Sequence, residues 1–418
     1  MSLAPPPLRD DCFALPAGVD WTPVDEALEA LKARLHPVVG QETVPLEDAL
    51  GRVLAADVTA LRANPPLPNS AVDGYGFAFA SLGEGDQCLP LVQGRAAAGL
   101  RFEGVVPAGR AIRILTGAAL PEGVDTVVLE EDVTSSSREV AFRAGVKPFA
   151  NTRKAGEDVA AGDVIVPQRR CLTPADLALL AATGHADVPV FKHLRVAVLS
   201  TGDEIVEPGQ VAQDGQIFDA NRVMLLTMLA QMGFQAVNMG HVADSRNALK
   251  ERLDEAAEQA DVILTSGGAS AGDEDHVSAL LREAGAMQNW RIAVKPGRPL
   301  ALAMWQGTPV FGLPGNPVAA LVCTLVFARP AMGLLAGQAW AAPQGYRLPA
   351  AFTKRKKAGR REYLRARVRD GQVEVFASEG SGRISGLSWA DGLVELPDKA
   401  ADIAEGDMVK FLPYSSFF

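Results

Sequence analysis

The chain has 418 residues, 48% hydrophobic and 22% charged, enough for about three domain-sized cores and too apolar for disorder. Lys and Arg total 40 against 50 Asp and Glu, a formal net charge of −10, which argues against a general binder of nucleic acid or of anionic membranes. The opening MSLAPPPLRDD has no apolar run and predicts no signal peptide, and the apolar stretch from Pro317 to Phe327 is shorter than the ~20 residues that span a bilayer. Cys12, Cys88, Cys171 and Cys323 are too scattered for a disulfide framework or a CxxC metal site. A soluble, cytoplasmic enzyme is the expectation.

In chain order, DEALEALKARL sets Ala27, Leu28, Leu31 and Leu35 on one helical face, and LEDALGRVLA predicts a second short helix before Pro65, Pro66 and Pro68 interrupt regular structure. From Asn69 to about Val166 short apolar runs such as RAIRILTG and DTVVLEEDV, broken by glycine, predict a β-rich module without a helix of normal length. LTPADLALLAATG returns to helix, with Thr173 as N-cap, Pro174 at the first position and Gly184 at the stop. The β module is therefore an insertion between two pieces of one domain.

From Leu194 to about Leu335 the strands RVAVLS, QAVNMG, DVILTS and TPVFGL alternate with helical windows at Arg222 to Met232, Ser245 to Gln259, Asp275 to Ala284 and Pro317 to Leu335. That alternation predicts a parallel sheet with helices on both faces. Beyond about Ala342, short alternating segments (YLRARVRDGQVEVF, DGLVELP, DMVKFLP) predict a small β-barrel or sandwich. The expected architecture is α/β multidomain. A discontinuous N-terminal elongated domain (1–66 and 158–190) carries an inserted β-rich domain (67–157). A central α/β sheet domain (191–338) and a C-terminal β-barrel domain (339–418) follow.

Ligands of an open parallel sheet bind where strands run into loops. Three such loops are rich in glycine and charge: TGDEIVEPG, GGASAGDEDH and LPGNPV. Gly267, Gly268 and Gly315 suit the close approach of backbone N–H groups to a phosphate or another oxyanion. Acids in the same loops (Asp203, Glu204, Asp273, Glu274, Asp275) would repel such a ligand unless a divalent cation lay between, and magnesium with one or two carboxylates fits that need. Asp275 and Asp244 also suit helix N-termini. RIAVKPGRPLALAM reads as two strands around a Pro-Gly turn, with Lys295 and Arg298 flanking it as an anion clamp. Farther on, Phe352 to Arg369 holds nine basic residues against one acid, and Tyr363, Arg365, Arg367 and Arg369 share one strand face, ordinarily a solvated arrangement. Asp73, Thr116 and Asp158 in the insertion read singly as turn formers. The histidines lack ligand spacing, and no nucleophile elbow, Walker A loop or GxGxxG fingerprint is present. The residues alone point to a magnesium-assisted site for a small phosphorylated ligand.

Nine motifs in order, ALGRVLAADV, NSAVDGYGF, RILTGAALPEGVDTVV, KAGEDV, VLSTGDEI, GQIFDANR, SGGASAGDEDH, AVKPGRPLA and GLPGNPVAAL, resemble those of the molybdopterin molybdenumtransferase family (MoeA and the gephyrin E domain) from about Trp21 to the C-terminus. The resemblance implies insertion of molybdate into adenylylated molybdopterin, with magnesium present and AMP released. It also implies a homodimer with shared active sites, in which the inserted domain of one subunit serves the sheet domain of the other. Contacts with molybdopterin adenylyltransferase and with downstream molybdoenzyme chaperones are further implied partners; nucleic acid and membrane are not. By the same resemblance Glu204 and Asp275 hold the metal, Gly267, Gly268 and Gly315 border the adenylate or pterin phosphate, and Lys295, Arg298, Arg360 and Ser381 form the oxyanion pocket. Asp73, Thr116, Asp158 and Asp244 match further catalytic positions. Four positions depart from the family pattern: Pro68 replaces an acid, His276 an aromatic, Ala319 a serine and Arg298 a lysine. Their expected effect is on molybdate affinity. Alternatives are a molybdopterin adenylyltransferase, which shares a related sheet domain, and a gephyrin-type scaffold. The inserted module and basic terminal domain argue against the first, the lack of an extra domain and long linker against the second.

Overall fold

The computed structural model describes residues 21–267, 276–283, 288–297, 299–378, 380 and 382–418. Two compact units are present, Thr43–Val190 and the remainder of the described chain.

Within Thr43–Val190 lies the expected β-rich module. Its six-stranded sheet runs, edge to edge, Thr126–Leu129, Gly74–Phe77, Ala111–Ile114, Gln87–Ala96, Glu139–Phe142 and Val133–Ser135. Tyr75, Phe77, Leu89, Val140 and Phe142 form one of its cores, with the Phe77 and Phe142 rings stacked at 5.0 Å. The helix Pro174–Ala182 starts as its sequence predicts. The Thr173 hydroxyl accepts the Asp176 N–H at 3.3 Å, and the Asp176 carboxylate accepts the Thr173 N–H at 2.9 Å, a closed capping box. Leu180 of this helix is buried with Leu54, Val58, Val166 and Val190.

The helix expected over LEDALGRVLA does not form. Only Leu46–Asp48 makes a 3₁₀ turn, after which Val53 and Leu54 bridge to Cys171 and Val190, and the Leu54 N–H reaches the Arg170 carbonyl at 3.0 Å. Pairing with distant backbone outweighs the local helical spacing, because it buries Leu54 while satisfying its N–H.

In the other unit the four predicted strands form adjacent parallel strands in the order Gln235–Val242, Arg195–Thr201, Val262–Ser266 and Thr308–Leu313. Successive residues of Arg195–Thr201 serve opposite cores. Val196 and Val198 pack with Leu225, Leu229 and Phe327, while Ala197 and Leu199 pack with Leu249, Leu253 and Leu281. Helices Ala220–Gln231, Arg246–Gln259, His276–Glu283 and the run Pro317–Leu335 supply those layers. Val24, Ala27 and Leu31 of the first helix, Val24–Arg34, join the first of these cores.

The sheet is not wholly parallel. Pro299–Trp305 and, at the edge, Gln288–Arg291 extend it with antiparallel pairing, since these strands are joined by short connections rather than crossover helices. Nor is RIAVKPGRPLALAM a simple hairpin. Val294–Lys295, between the two, leaves the sheet and pairs in parallel with Arg361–Arg369 of the C-terminal sheet. Val294 is drawn there by burial with Tyr363, Leu393 and Leu412. The C-terminal β-rich domain runs Val294–Lys295, Arg361–Arg369, Gly392–Leu396, Met408–Pro413 and Tyr346–Pro349, with Gln372–Val375 folded back on Arg361–Arg369.

Pro317–Leu335 is 19 residues long, with mean hydropathy 1.9, and is 94% buried. Its apolar run therefore extends past Phe327 to a membrane-crossing length, and length does not exclude a span as the sequence suggested; burial in the domain's own core accounts for its composition. Midway, Thr324–Ala328 widens to a π turn just before Pro330, whose missing N–H and bulky ring disfavour regular α-helix four residues earlier.

Candidate active site

Thr201, Ser266 and Leu313 end three adjacent parallel strands on one edge. Gly267 follows with φ +95°, and a Cβ there would lie 2.6 Å from the Thr201 carbonyl oxygen, so only glycine allows this approach of two loops. Asn221, in the first turn of Ala220–Gln231, ties the edge together through its Nδ2, which donates to Ser266 Oγ at 2.8 Å and to the Gly315 carbonyl at 2.7 Å. Ser200 Oγ, Thr201 Oγ1 and Thr265 Oγ1 are buried with no hydrogen-bond partner among the described residues, which leaves hydroxyls at this strand edge for a polar ligand.

Acids gather at the same edge. Asp203 accepts the Asp244 N–H at 2.9 Å. Burial first, then the Asp203 charge and more weakly that of Glu204, push the Asp244 carboxyl above the usual carboxylate range, while a hydrogen bond from the Asp203 backbone and the His276 charge oppose them. Oxygen-only donors in mutual repulsion fit a hard divalent cation, which would relieve that repulsion, and magnesium uses few protein carboxylates. Among the described residues no group of three or more His, Cys, Asp and Glu side chains has metal-holding geometry.

Beside this edge lies a cavity of about 460 Å³, enclosed by the C-terminal sheet and the loops of the α/β sheet. Lys295, Asn316, Ala319, Lys354, Arg360 and Ser378 line it, with an aromatic wall of Phe352, Tyr363 and Phe376. Asn316, adjacent to Gly315, links cavity and glycine edge; its Oδ1 accepts the Val318 and Ala319 N–H groups at 3.1 and 3.3 Å, opening Pro317–Leu335. The departure of Val294–Lys295 from the sheet places Lys295 in register with Glu362. Glu362, the one acid in the basic segment, is buried, 3.5 Å from Lys295 Nζ and 3.4 Å from Lys354 Nζ. Burial pulls the nearby Lys356 ammonium below its ordinary value, against the attraction of Glu362 and Asp398. The cavity is thus cationic, with the buried Glu362 carboxylate tempering it.

In the unit Thr43–Val190, Asp73 and Thr116 come together across 43 residues of sequence. Asp73 Oδ1 accepts both the N–H and the hydroxyl of Thr116, each at 2.6 Å. Those two bonds, hydroxyl first, hold the Asp73 carboxyl below its ordinary value. Asp158 accepts from Asn64 Nδ2 at 3.0 Å.

Of the residues singled out in the sequence, Glu204 and Asp244 meet at the acidic edge, Gly267 and Gly315 at the glycine edge, and Lys295 and Arg360 in the cavity. Gly268, Asp275, Arg298 and Ser381 lie outside the described residues. Asn221, Glu362 and Arg365 join the site from outside the residues that the sequence points to. Asn221 follows a helix-capping Asp219 in GQIFDANR, and Glu362 is the lone acid among nine bases; both are sequence signals in hindsight. The face of Tyr363, Arg365 and Arg367 is not solvated as expected. Arg365 is 5% exposed, and Arg367 is half-buried over the Trp389 ring at 4.3 Å.

Comparison with known proteins gives three successive family models. Residues 22–184 match the MoeA N-terminal region (domain I and II), 197–333 a probable molybdopterin binding domain, and 347–414 the MoeA C-terminal region (domain IV). A molybdopterin molybdenumtransferase of Haemophilus influenzae is 35% identical over 94% of this chain and 98% of its own. Molybdopterin molybdenumtransferase 2 of Mycobacterium tuberculosis is 34% identical over 88% and 94%. The crystal structure of a molybdopterin biosynthesis MoeA protein from Pyrococcus horikoshii superposes with TM-score 0.80 at 30% identity, covering 94% of this chain and 99% of that one. The chain belongs to the molybdopterin molybdenumtransferase family, transferases of molybdenum cofactor biosynthesis.

Proposed function

We propose that this transferase inserts molybdate into the dithiolene of adenylylated molybdopterin, with magnesium-dependent hydrolysis of the adenylate and release of AMP. The observation that carries the reading is the adjacency of a cationic cavity to an acidic, glycine-lined strand edge through Gly315 and Asn316. Molybdate and an adenylate are both anions. Bringing them together calls for cations on one side and for carboxylates that recruit a counter-cation on the other.

In this reading Lys295 and Arg360 bind the oxyanion, together with Arg298 and Ser381, which enter on sequence grounds. Gly267, Gly268 and Gly315 admit the phosphate close to backbone. Glu204 and Asp275 hold magnesium, with Asp244 alongside; when bound, the ion neutralises phosphate charge and acidifies water. Water attacks phosphorus, the bond to the pterin phosphate oxygen breaks, and AMP leaves. The two thiol sulfurs bond to molybdenum, and one molybdate oxygen departs as water carrying both thiol protons.

Asp73, Thr116 and Asp158 act from the β-rich module, and the working form is a homodimer in which that module serves the other protomer's sheet domain. The four-part division at 1–66 with 158–190, 67–157, 191–338 and 339–418 belongs to the same reading, and the three consecutive family matches support it. A cytoplasmic location, where both substrates would be met, is part of the same proposal.

Incubation with adenylylated molybdopterin, molybdate and magnesium should release AMP in proportion to cofactor formed. Asp275→Asn should abolish insertion while leaving the fold intact. ATP consumption with free molybdopterin, or normal cofactor yield from Asp275→Asn, would overturn the assignment. Sedimentation at working concentration should give a dimer.

A further inference from the structure

Arg365 lies in the strand Arg361–Arg369, and its guanidinium is buried without an acidic partner within hydrogen-bonding distance among the described residues. Nη2 donates to the carbonyls of Ser378 at 2.6 Å and Gly380 at 3.1 Å, and Nη1 donates to the carbonyl of Arg383. The same guanidinium lies over the Phe376 ring, 4.8 Å from its centroid, and Phe376 packs edge-on against Trp389 at 5.4 Å. Gly386 makes room for this arrangement: a Cβ there would sit 2.6 Å from Nη1 and 2.7 Å from the Phe376 ring.

Among the described residues here, Ser378, Gly380, Gly382 and Arg383 lie in no strand ladder. Among the described residues their local bonds are short-range: the Gly380 N–H to Ser378 Oγ at 3.3 Å, the Arg383 N–H to the Gly380 carbonyl, and the Ile384 and Gly386 N–H groups to the Gly382 and Arg383 carbonyls. Ser378 nevertheless lines the cavity, as do Phe376 and Arg365 themselves. A planar fork with several fixed donors can hold three carbonyls in one relation; a flexible ammonium cannot. Burying a guanidinium also costs desolvation, which Arg365 offsets with charge-assisted bonds and ring contact.

We infer that Arg365 is a positioning residue of the oxyanion cavity: it fixes the Ser378, Gly380 and Arg383 carbonyls against the C-terminal sheet and so sets Ser378 in the cavity wall that receives the oxyanion. The inference deepens the proposed function and rests on its assignment of this cavity to molybdate.

The test is equilibrium binding of molybdate to the full-length protein, with trypsin cleavage after Arg383 as a second readout, for Arg365→Met, Arg365→Lys and Arg360→Ala. Losing a fork of charge-assisted bonds should raise the molybdate Kd about tenfold in Arg365→Met. Arg365→Lys keeps the charge and loses the fork, so it should weaken binding comparably, and both should be cut faster at Arg383. In turnover, half-saturating molybdate should rise while kcat at saturating molybdate stays within about twofold, because no reacting atom is lost. Wild-type affinity in Arg365→Lys overturns the inference, since charge alone then suffices; so does unchanged cleavage in both variants. Should Arg365→Met fail to fold, Arg365→Lys decides. If Arg360→Ala leaves molybdate binding intact, the assignment of the cavity to molybdate falls, whatever the Arg365 variants do.

Discussion

Lys295 and Glu362 are register partners in neighbouring parallel strands, with Nζ 3.5 Å from Oε2, although their strands come from different halves of the α/β and C-terminal region. The Lys354 ammonium lies 3.4 Å from the same oxygen. Glu362 therefore reduces the positive potential of the cavity while it holds two ammonium groups in place. Glu362→Gln should tighten oxyanion binding on the order of tenfold at low salt, with the gain shrinking as salt rises. Breaking a buried ion cluster should also destabilise the protein by about 3 kcal/mol. Molybdate titration at two ionic strengths and urea unfolding of the same variant check both effects.

Asp73 is held below its ordinary pKa by the Thr116 hydroxyl first and the Thr116 N–H second. Its folded value lies below its unfolded one. The associated stabilisation is therefore present above the ordinary carboxylate range and lost as pH falls through the lowered value. Thr116→Val removes the larger of the two bonds, so the Asp73 carboxyl should titrate at higher pH than in the native protein. Carbon-detected NMR of the Asp73 carboxyl measures this, and an unchanged titration would contradict the geometry.

The repulsion that lifts the Asp244 carboxyl comes from Asp203 and Glu204, after burial. Asp203→Asn keeps an acceptor for the Asp244 N–H and deletes one charge, so the melting temperature should rise when magnesium is withheld. Magnesium should then stabilise this variant less than the native protein. Glu204→Gln should weaken magnesium binding at least about tenfold, the scale of a lost charge-assisted ligand. Calorimetric titration with magnesium chloride separates the two variants.

Ala319 lines the cavity, and the motif resemblance leads to the expectation of a serine in its place. Its backbone N–H is already engaged by Asn316 Oδ1 at 3.3 Å, so a hydroxyl would add a donor without disturbing the cap. Ala319→Ser should lower half-saturating molybdate by up to about tenfold, the scale of one hydrogen bond to a charged group. Steady-state kinetics at varied molybdate, with the adenylate saturating, gives the answer.

Much of the fold is legible where local and global preferences agree. The Thr173 capping box and the strand–helix alternation after Leu194 need no distant information. The signal fails where pairing partners lie far away. Leu54 sits in a helical pattern yet pairs with Val190, and Val294 sits in a hairpin pattern yet joins a strand some seventy residues later. The site follows the same division. Gly267, Gly315, Glu204 and Lys295 announce themselves by residue type and spacing. Asn221 matters because the fold aims its amide at two loops, and Arg365 because Phe376 and the Ser378 segment cover it.

The sequence by itself determined the chain's family, its alternating sheet domain and the kinds of group at the site, since periodicity, capping and motif order are properties of neighbouring residues. Only the tertiary structure decided which charges share a cavity. Period-two alternation places Arg365 on a strand face but cannot say whether water or Phe376 meets that face, and no local rule seats Lys295 beside Glu362. Burial is settled by which distant surfaces close over a residue, and it is burial that turns these side chains into fixed electrostatic parts of a site.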